Sequence, residues 1–286
     1  MGAAFVVTLR EAFEAALLLG IVYTYLDRVQ ARAHAGWVTL GAVGGLVASV
    51  AMGIAVSYLS GPLLDLGPDL VAAGVMFLAA AALTWHGWWM GRHAGEIQGV
   101  VLRQVDDAQA GRRVWALALI AFTGVFREGA ETVLFLWGLL TQLENPTGWT
   151  ALAGGAAGLA GAGILGWLVF QGGRRLSIQR FFAVTSVFLL FLAAGLFSGG
   201  VGRLQGFGVL PGGDALWDTS WLLDDHGSLG GFLAGVVGYR ARPSSLEIAA
   251  YVTYLAAAAL LFFPALLSRP ARGGSRLTKP VEPSRA

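Results

Sequence analysis

The chain has 286 residues and no cysteine. That removes disulfide frameworks, thiolate metal sites and thiol nucleophiles. Charge is nearly as scarce: Asp, Glu, Lys and Arg make up 13% of residues, about half the share of a soluble domain. Histidine occurs 4 times and proline 9 times. Hydrophobic residues reach 56% and mean hydropathy is +0.67, which excludes disorder and a water-soluble globular fold. The first apolar run has no basic region before it and no small-residue cleavage site after it, so it reads as a retained helix rather than a signal peptide. What the chain has in quantity is glycine, 42 residues, which suits closely packed membrane helices.

The apolar residues fall into seven runs, near residues 3–26, 37–59, 70–90, 114–140, 149–170, 181–199 and 248–267. Each approaches the roughly 20 residues that a spanning helix needs. None alternates as a barrel strand would. The expected fold is an all-α integral membrane protein with seven transmembrane helices. Of the 19 basic residues, 14 fall in the segments after the first, third, fifth and seventh runs, among them Arg28, Arg92, Arg112 and Arg174. The opposite side holds Arg203, Arg240 and Arg242 with eight acids, among them Asp65, Asp69, Glu144 and Asp214. The positive-inside rule then puts the N-terminus outside and the C-terminus in the cytoplasm. Net charge is only +2, and topology explains it, so it is no sign of nucleic-acid binding.

The chain repeats itself at a spacing of about 112 to 117 residues. Arg10-Glu11-Ala12-Phe13-Glu14 matches Arg127-Glu128-Gly129-Ala130-Glu131. Gly36-Trp37 matches Gly148-Trp149, and Phe77-Leu78-Ala79-Ala80 matches Phe191-Leu192-Ala193-Ala194. Each copy has three spans, an odd number, so the second must cross the membrane in the opposite sense. Two inverted three-helix repeats plus a seventh helix are the expected architecture, with a site near the midplane. One membrane domain would cover 1–267: repeat one about 1–112, repeat two about 113–200, an outer loop about 200–246 and the seventh helix 248–267. Residues 268–286 form a basic tail, expected to be disordered and cytoplasmic. Gly41 with Gly45, and Gly154 with Gly158, are small-xxx-small pairs that suggest close helix contacts.

Six charged residues remain inside spans: Arg10, Glu11, Glu14, Arg127, Glu128 and Glu131. A charge at a helix centre costs at least about 2.5–3.5 kcal/mol on insertion scales, so these six must face one another or a polar cavity. Residues three apart share a helix face, so each glutamate pair projects together, with its arginine one turn away. If the two helices meet antiparallel, four carboxylates converge between two guanidinium groups, formally −2. Hard oxygen ligands favour hard cations. An ion-pair lock without transport and a proton relay without metal are the alternatives from chemistry alone. A duplicated pattern argues against the first.

At these residues the chain resembles the oxidase-dependent iron transporter family, the high-affinity ferric permeases, whose signature is Arg-Glu-x-x-Glu in the first and fourth of seven spans. The resemblance continues to about Leu267. It includes Leu83-Thr84-Trp85, the stretch near 102–108, Ala193-Ala194-Gly195-Leu196 and Gly238-Tyr239. It is nearer the bacterial than the fungal branch, because no long acidic tail follows the seventh span. It implies a transporter rather than an enzyme, in a bacterial inner membrane. Iron would be its substrate, with no permanently bound cofactor. Fe³⁺ would be carried by Glu11, Glu14, Glu128 and Glu131, with Arg10 and Arg127 compensating charge. It also implies an extracytoplasmic peroxidase or oxidase and a cupredoxin-like iron-binding protein as partners.

Other residues carry weaker expectations. Asp218, Asp224, Asp225 and His226 are candidates for outer iron capture, against a loop-capping role. His86 reads as an interfacial or packed histidine, and Trp85, Trp88 and Trp89 as interfacial anchors. Asp106 and Asp107 read as a solvated segment. Three other functions compete. One is a permease for Fe²⁺, Mn²⁺ or Pb²⁺. Another is an intramembrane di-iron enzyme, for which the Glu-x-x-His motif is absent. The third is a scaffold, which leaves the duplicated charges unexplained.

Overall fold

The structure is a computed structural model that describes residues 2–64, 68–110, 114–142, 148–170, 178–225 and 228–262. Eight α-helices and one short 3-10 turn, Arg32–His34, occur among the described residues, and no strand does. The helices are α1 (Gly2–Arg28), α2 (Ala35–Leu64), α3 (Pro68–Ala110), α4 (Val114–Gln142), α5 (Gly148–Phe170), α6 (Ile178–Gly206), α7 (Ser228–Val237) and α8 (Ser245–Phe262). The basic tail, Asp65 and Glu144 lie outside the described residues.

Four stretches are long and apolar enough to cross a membrane: Arg32–Leu59, Asp69–Met90, Phe181–Gly206 and Ser245–Phe262. Leu152–Leu168 in α5 is apolar but shorter. Every span-length window of α1 and α4 carries at least three charged residues. These two helices fit a bilayer only if those charges are shielded by protein.

Close packing fixes how the helices pair. α1 lies along α5, α2 along α4, and α3 along α6. A Cβ on Gly45 of α2 would sit 2.7 Å from the Phe122 carbonyl oxygen and 3.0 Å from the Phe126 nitrogen of α4. A Cβ on Gly158 of α5 would sit 2.7 Å from the Phe5 oxygen and 2.9 Å from the Leu9 nitrogen of α1. Phe5 and Leu9 precede Arg10 by the same steps as Phe122 and Phe126 precede Arg127, so the two contacts are equivalent. Without a hydrophobic drive between helices in lipid, such backbone approach is where packing energy is gained.

The two ends of the bundle differ. At one end Arg203 of α6 pairs with Asp69 of α3 at 3.1 Å and donates to the Thr141 carbonyl of α4 at 3.0 Å. The start of α1 meets α7 there, where Gly2 abuts Phe232. At the other end Val22, Leu26, Val38, Val105, Leu117 and Ala121 form a sealed apolar cluster. A second cluster, around Val7, Met76, Ala79, Phe135 and Leu196, packs α1, α3, α4 and α6 together.

Three expectations change. The third helix continues about 20 residues past its apolar run to Ala110, because nothing in 91–110 stops a helix and Val105 buries against α1, α2 and α4. The expected outer loop 200–246 is partly helical: α6 runs on to Gly206, and the apolar segment 228–237 forms α7. Ten residues rise about 15 Å, half a bilayer core, so α7 covers one end of the bundle rather than spanning. The last helix starts at Ser245 because Ser244 and Glu247 form a capping box. The Ser244 N–H donates to Glu247 Oε2 at 2.8 Å, and the Glu247 N–H to Ser244 Oγ at 3.2 Å.

Candidate metal centre

α1 and α4 cross in the middle of the bundle, with α3 against both. The i, i+3 spacing puts Glu11 and Glu14 on the inner face of α1, and Glu128 and Glu131 on that of α4. In the first copy Arg10 donates from Nη1 to Glu11 Oε1 at 2.8 Å and lies 3.0 Å from Glu14 Oε1 through Nη2. In the second, Arg127 donates to Glu128 Oε1 at 3.0 Å and lies 3.6 Å from Glu131 Oε1. Each arginine therefore holds one oxygen of both its glutamates. The other oxygens of Glu11, Glu14 and Glu128 are buried and accept no hydrogen bond.

Between them stands a residue not expected there. His86 of α3 is 6% exposed. Its Nε2 lies 3.3 Å from Glu14 Oε2 and 3.9 Å from Glu11 Oε2, and Nδ1 lies 2.5 Å from Glu131 Oε2. Of the two expected settings for His86, interfacial or packed, its burial fits the second. One signal was available: it is the only histidine inside an expected span, and an ionisable group there is functional by default. Counting formal charge passed over it, because a neutral imidazole has none. Glu11, Glu14, His86 and Glu128 each offer a ligand atom within 4.8 Å of the others, and all four are buried. Glu131 stands apart from that set, against His86 and Arg127, with its side chain 23% exposed.

Uncompensated, these buried oxygens would be costly, since a buried polar atom without a partner forfeits its solvation. A cation bound by three carboxylate oxygens and one imidazole nitrogen would satisfy them, and that donor set suits a borderline divalent metal. No di-iron Glu-x-x-His pair is present, because His86 comes from a third helix.

The neighbouring residues protect the site. Arg127 lies over the Trp89 ring at 5.6 Å, so Trp89 serves the site as well as the expected belt. Trp85 is exposed on the helix surface, in keeping with an anchor. Gly129 stands where the first copy has Ala12, because Ser49 Oγ of α2 occupies the place a Cβ would take.

The outer residues are arranged otherwise. Asp218 is engaged: Arg242 pairs with it at 2.5 Å, and Ser220 donates to it from both backbone and hydroxyl. The Arg242 guanidinium, with Ser220, holds the Asp218 carboxyl below the ordinary aspartate range. These contacts give Asp218 a structural role in the loop, the alternative to iron capture. Asp225 Oδ2 accepts the Ala241 N–H at 3.3 Å, and Asp224 packs its carbonyl on Gly230. His226 lies outside the described residues. Asp106 and Asp107 lie within α3.

A family model described as the iron permease FTR1 family matches residues 1–272. The chain is 31% identical over 280 residues to a ferrous iron permease EfeU of Escherichia coli O6:K15:H31, covering 97% of this chain and 99% of that protein. It is 33% identical over 262 residues to the ferrous iron permease EfeU of Yersinia pestis, covering 91% and 92%. To that of Shigella sonnei it is 31% identical over 278 residues, covering 96% and 98%. No solved structure matches the chain.

Proposed function

The chain belongs to the iron permease FTR1 family, and from that premise we propose that it moves Fe²⁺ across the bacterial inner membrane through the carboxylate–imidazole cluster between α1, α3 and α4. The observation that carries this reading is the convergence of buried, unpartnered oxygens from both motif copies. Four carboxylates and two guanidinium groups carry a formal −2, which one divalent ion neutralises. The relatives' names also favour Fe²⁺ over the Fe³⁺ expected from the resemblance. With Fe²⁺ as cargo, entry requires no oxidising partner.

Seven spanning helices are proposed, α1 to α6 with α8, and the outside is the end that holds Asp69, Arg203 and α7. Two inverted repeats are supported by the matched contacts of Gly45 and Gly158. Iron enters from that end, binds Glu11, Glu14 and Glu128, and leaves past Arg127. As it binds, the cation takes over charge compensation from the arginines. Inverted repeats permit alternating access by rocking. The two repeats are not packed alike, because α4 lies more closely on α3 than the corresponding α1 lies on α6.

The test is uptake of radioactive iron in an iron-starved host that lacks its own permease. Uptake should persist with ascorbate, stop with a membrane-impermeant Fe²⁺ chelator, and fall to background in Glu14→Ala and Glu128→Ala at equal membrane abundance. Normal transport by either variant overturns the site. Uptake that survives the chelator and needs an external peroxidase or oxidase with a cupredoxin-like protein restores Fe³⁺.

A further inference from the structure

We infer that His86 is a direct ligand of the transported ion through Nε2, and that Glu131 is the residue that positions it rather than a fourth carboxylate ligand. The inference rests on the cluster being the cargo site and goes beyond it by assigning unequal roles to the two motif copies.

Three observations carry it. The His86 side chain is more than nine-tenths buried, and its Nε2 has no hydrogen-bond partner. That nitrogen faces Glu14 and Glu11 at 3.3 and 3.9 Å, with Glu128 completing the group. On the far side of the ring, Nδ1 meets Glu131 Oε2 at 2.5 Å. A metal-binding imidazole almost always gives its second nitrogen to a carboxylate, a backbone carbonyl or water, which fixes the tautomer and aims the ring. Here a proton on Nδ1 toward Glu131 leaves the Nε2 lone pair directed at the three carboxylates. Glu131 Oε2 has this close approach to the ring and no hydrogen bond to any other group, and Glu131 stands outside the ligand group.

The repeat register sharpens the point. Phe77 corresponds to Phe191, and the same register carried to His86 arrives at Gly200. A Cβ at Gly200 would lie 2.8 Å from the Phe77 ring, so Phe77 fills the space that a side chain there would need. The nitrogen donor is therefore single and breaks the symmetry of the repeats. It also sets selectivity, because oxygen-only sites suit Mg²⁺ and Ca²⁺ whereas imidazole favours transition metals.

The experiment uses full-length protein in nanodiscs, loaded anaerobically with Fe²⁺, and reads X-ray absorption at the iron edge together with equilibrium binding. The expected result is one imidazole in the wild-type iron shell, lost in His86→Gln while oxygen ligands remain. Affinity should fall roughly tenfold or more and Mg²⁺ competition should rise. Glu131→Gln should weaken the imidazole signal without removing the oxygen shell. An oxygen-only wild-type shell overturns the inference, and that spectrum decides even if a variant fails to fold. An imidazole that survives His86→Gln overturns it too, since another histidine then supplies it. The cargo reading is separated by Glu11→Gln and Glu128→Gln. If both bind Fe²⁺ as the wild type does, that reading falls and this inference with it. If they lose binding while the wild-type shell is oxygen-only, only the His86 assignment falls.

Discussion

In α1, Arg10 is 1% exposed and Glu11 is fully buried. In α4, the same motif leaves the Arg127 side chain 47% exposed and leaning on Trp89. The residues and pairings of the two copies match, so the motif itself does not cause the difference. The third helices of the two repeats differ as well. α3 lies against α4 and inserts His86 between the copies, whereas α6 meets α1 through Phe181 and Phe182 on Phe13 and has Gly200 at the matching place. A duplicated sequence has thus become a sealed half, whose charged motif residues are all buried, and an accessible half, whose arginine reaches the surface.

The largest expected effect tests the sealed half. Arg10→Met strands two buried carboxylates, and breaking a buried pair in this way costs about 3–5 kcal/mol. The variant should lose membrane abundance and detergent stability, whereas Arg127→Met should accumulate normally and lose only uptake. Equal abundance of the two would erase the distinction.

Next comes the division between glutamates. Glu14→Ala should take iron uptake to background. Glu131→Ala, which disturbs His86 rather than removing a ligand, should cost about tenfold. Identical losses in a radioactive-iron assay would make the two copies equal ligand donors.

Where the copies are alike, the variants should behave alike. Gly45→Ala and Gly158→Ala each push a methyl into a facing backbone and should each cost about 1–3 kcal/mol. Gly163→Ala, with nothing within 4 Å, is the silent control. Thermal unfolding in detergent compares the three, and a silent Gly158→Ala would show that the packing is not matched.

The smallest effect lies in the outer segment. Asp218 has its carboxyl depressed by Arg242 and Ser220. Its contribution to holding that segment is therefore present at neutral pH, above the ordinary aspartate value of about 3.9. It is lost only as pH falls below that value and through the depressed one. Both partners are exposed, so the contribution is small. Asp218→Asn should speed hydrogen exchange around 216–223 and leave iron uptake unchanged. A fall in uptake would return Asp218 to iron capture.

Much of this site is readable from sequence alone. Glu11 with Glu14, and Glu128 with Glu131, announce themselves by spacing, and their cost in lipid requires them to meet. His86 is harder to see because its value comes from a third helix, and no local pattern links residue 86 to residue 131. α7 escapes for a different reason. Its ten apolar residues are too few to span and give no period long enough to separate a helix from an apolar loop. The continuation of α3 rests on the burial of Val105, a tertiary event within a mostly polar stretch. The capping box at Ser244 and Glu247 was legible in principle, since Ser-x-x-Glu before an apolar run is a helix-start signal.

The crossed pairing of α1 with α5 and α2 with α4 also bears on how the protein is made. As the chain leaves the ribosome, α2 enters the bilayer before its partner α4 exists, and α1 must hold its three charges through three further helices before α5 covers its glycine-facing surface. Neither three-helix half contains a complete set of its own contacts. Duplication therefore did not yield two modules that assemble, but two strands of one braid, and the first half becomes a stable membrane structure only when the second has been synthesised.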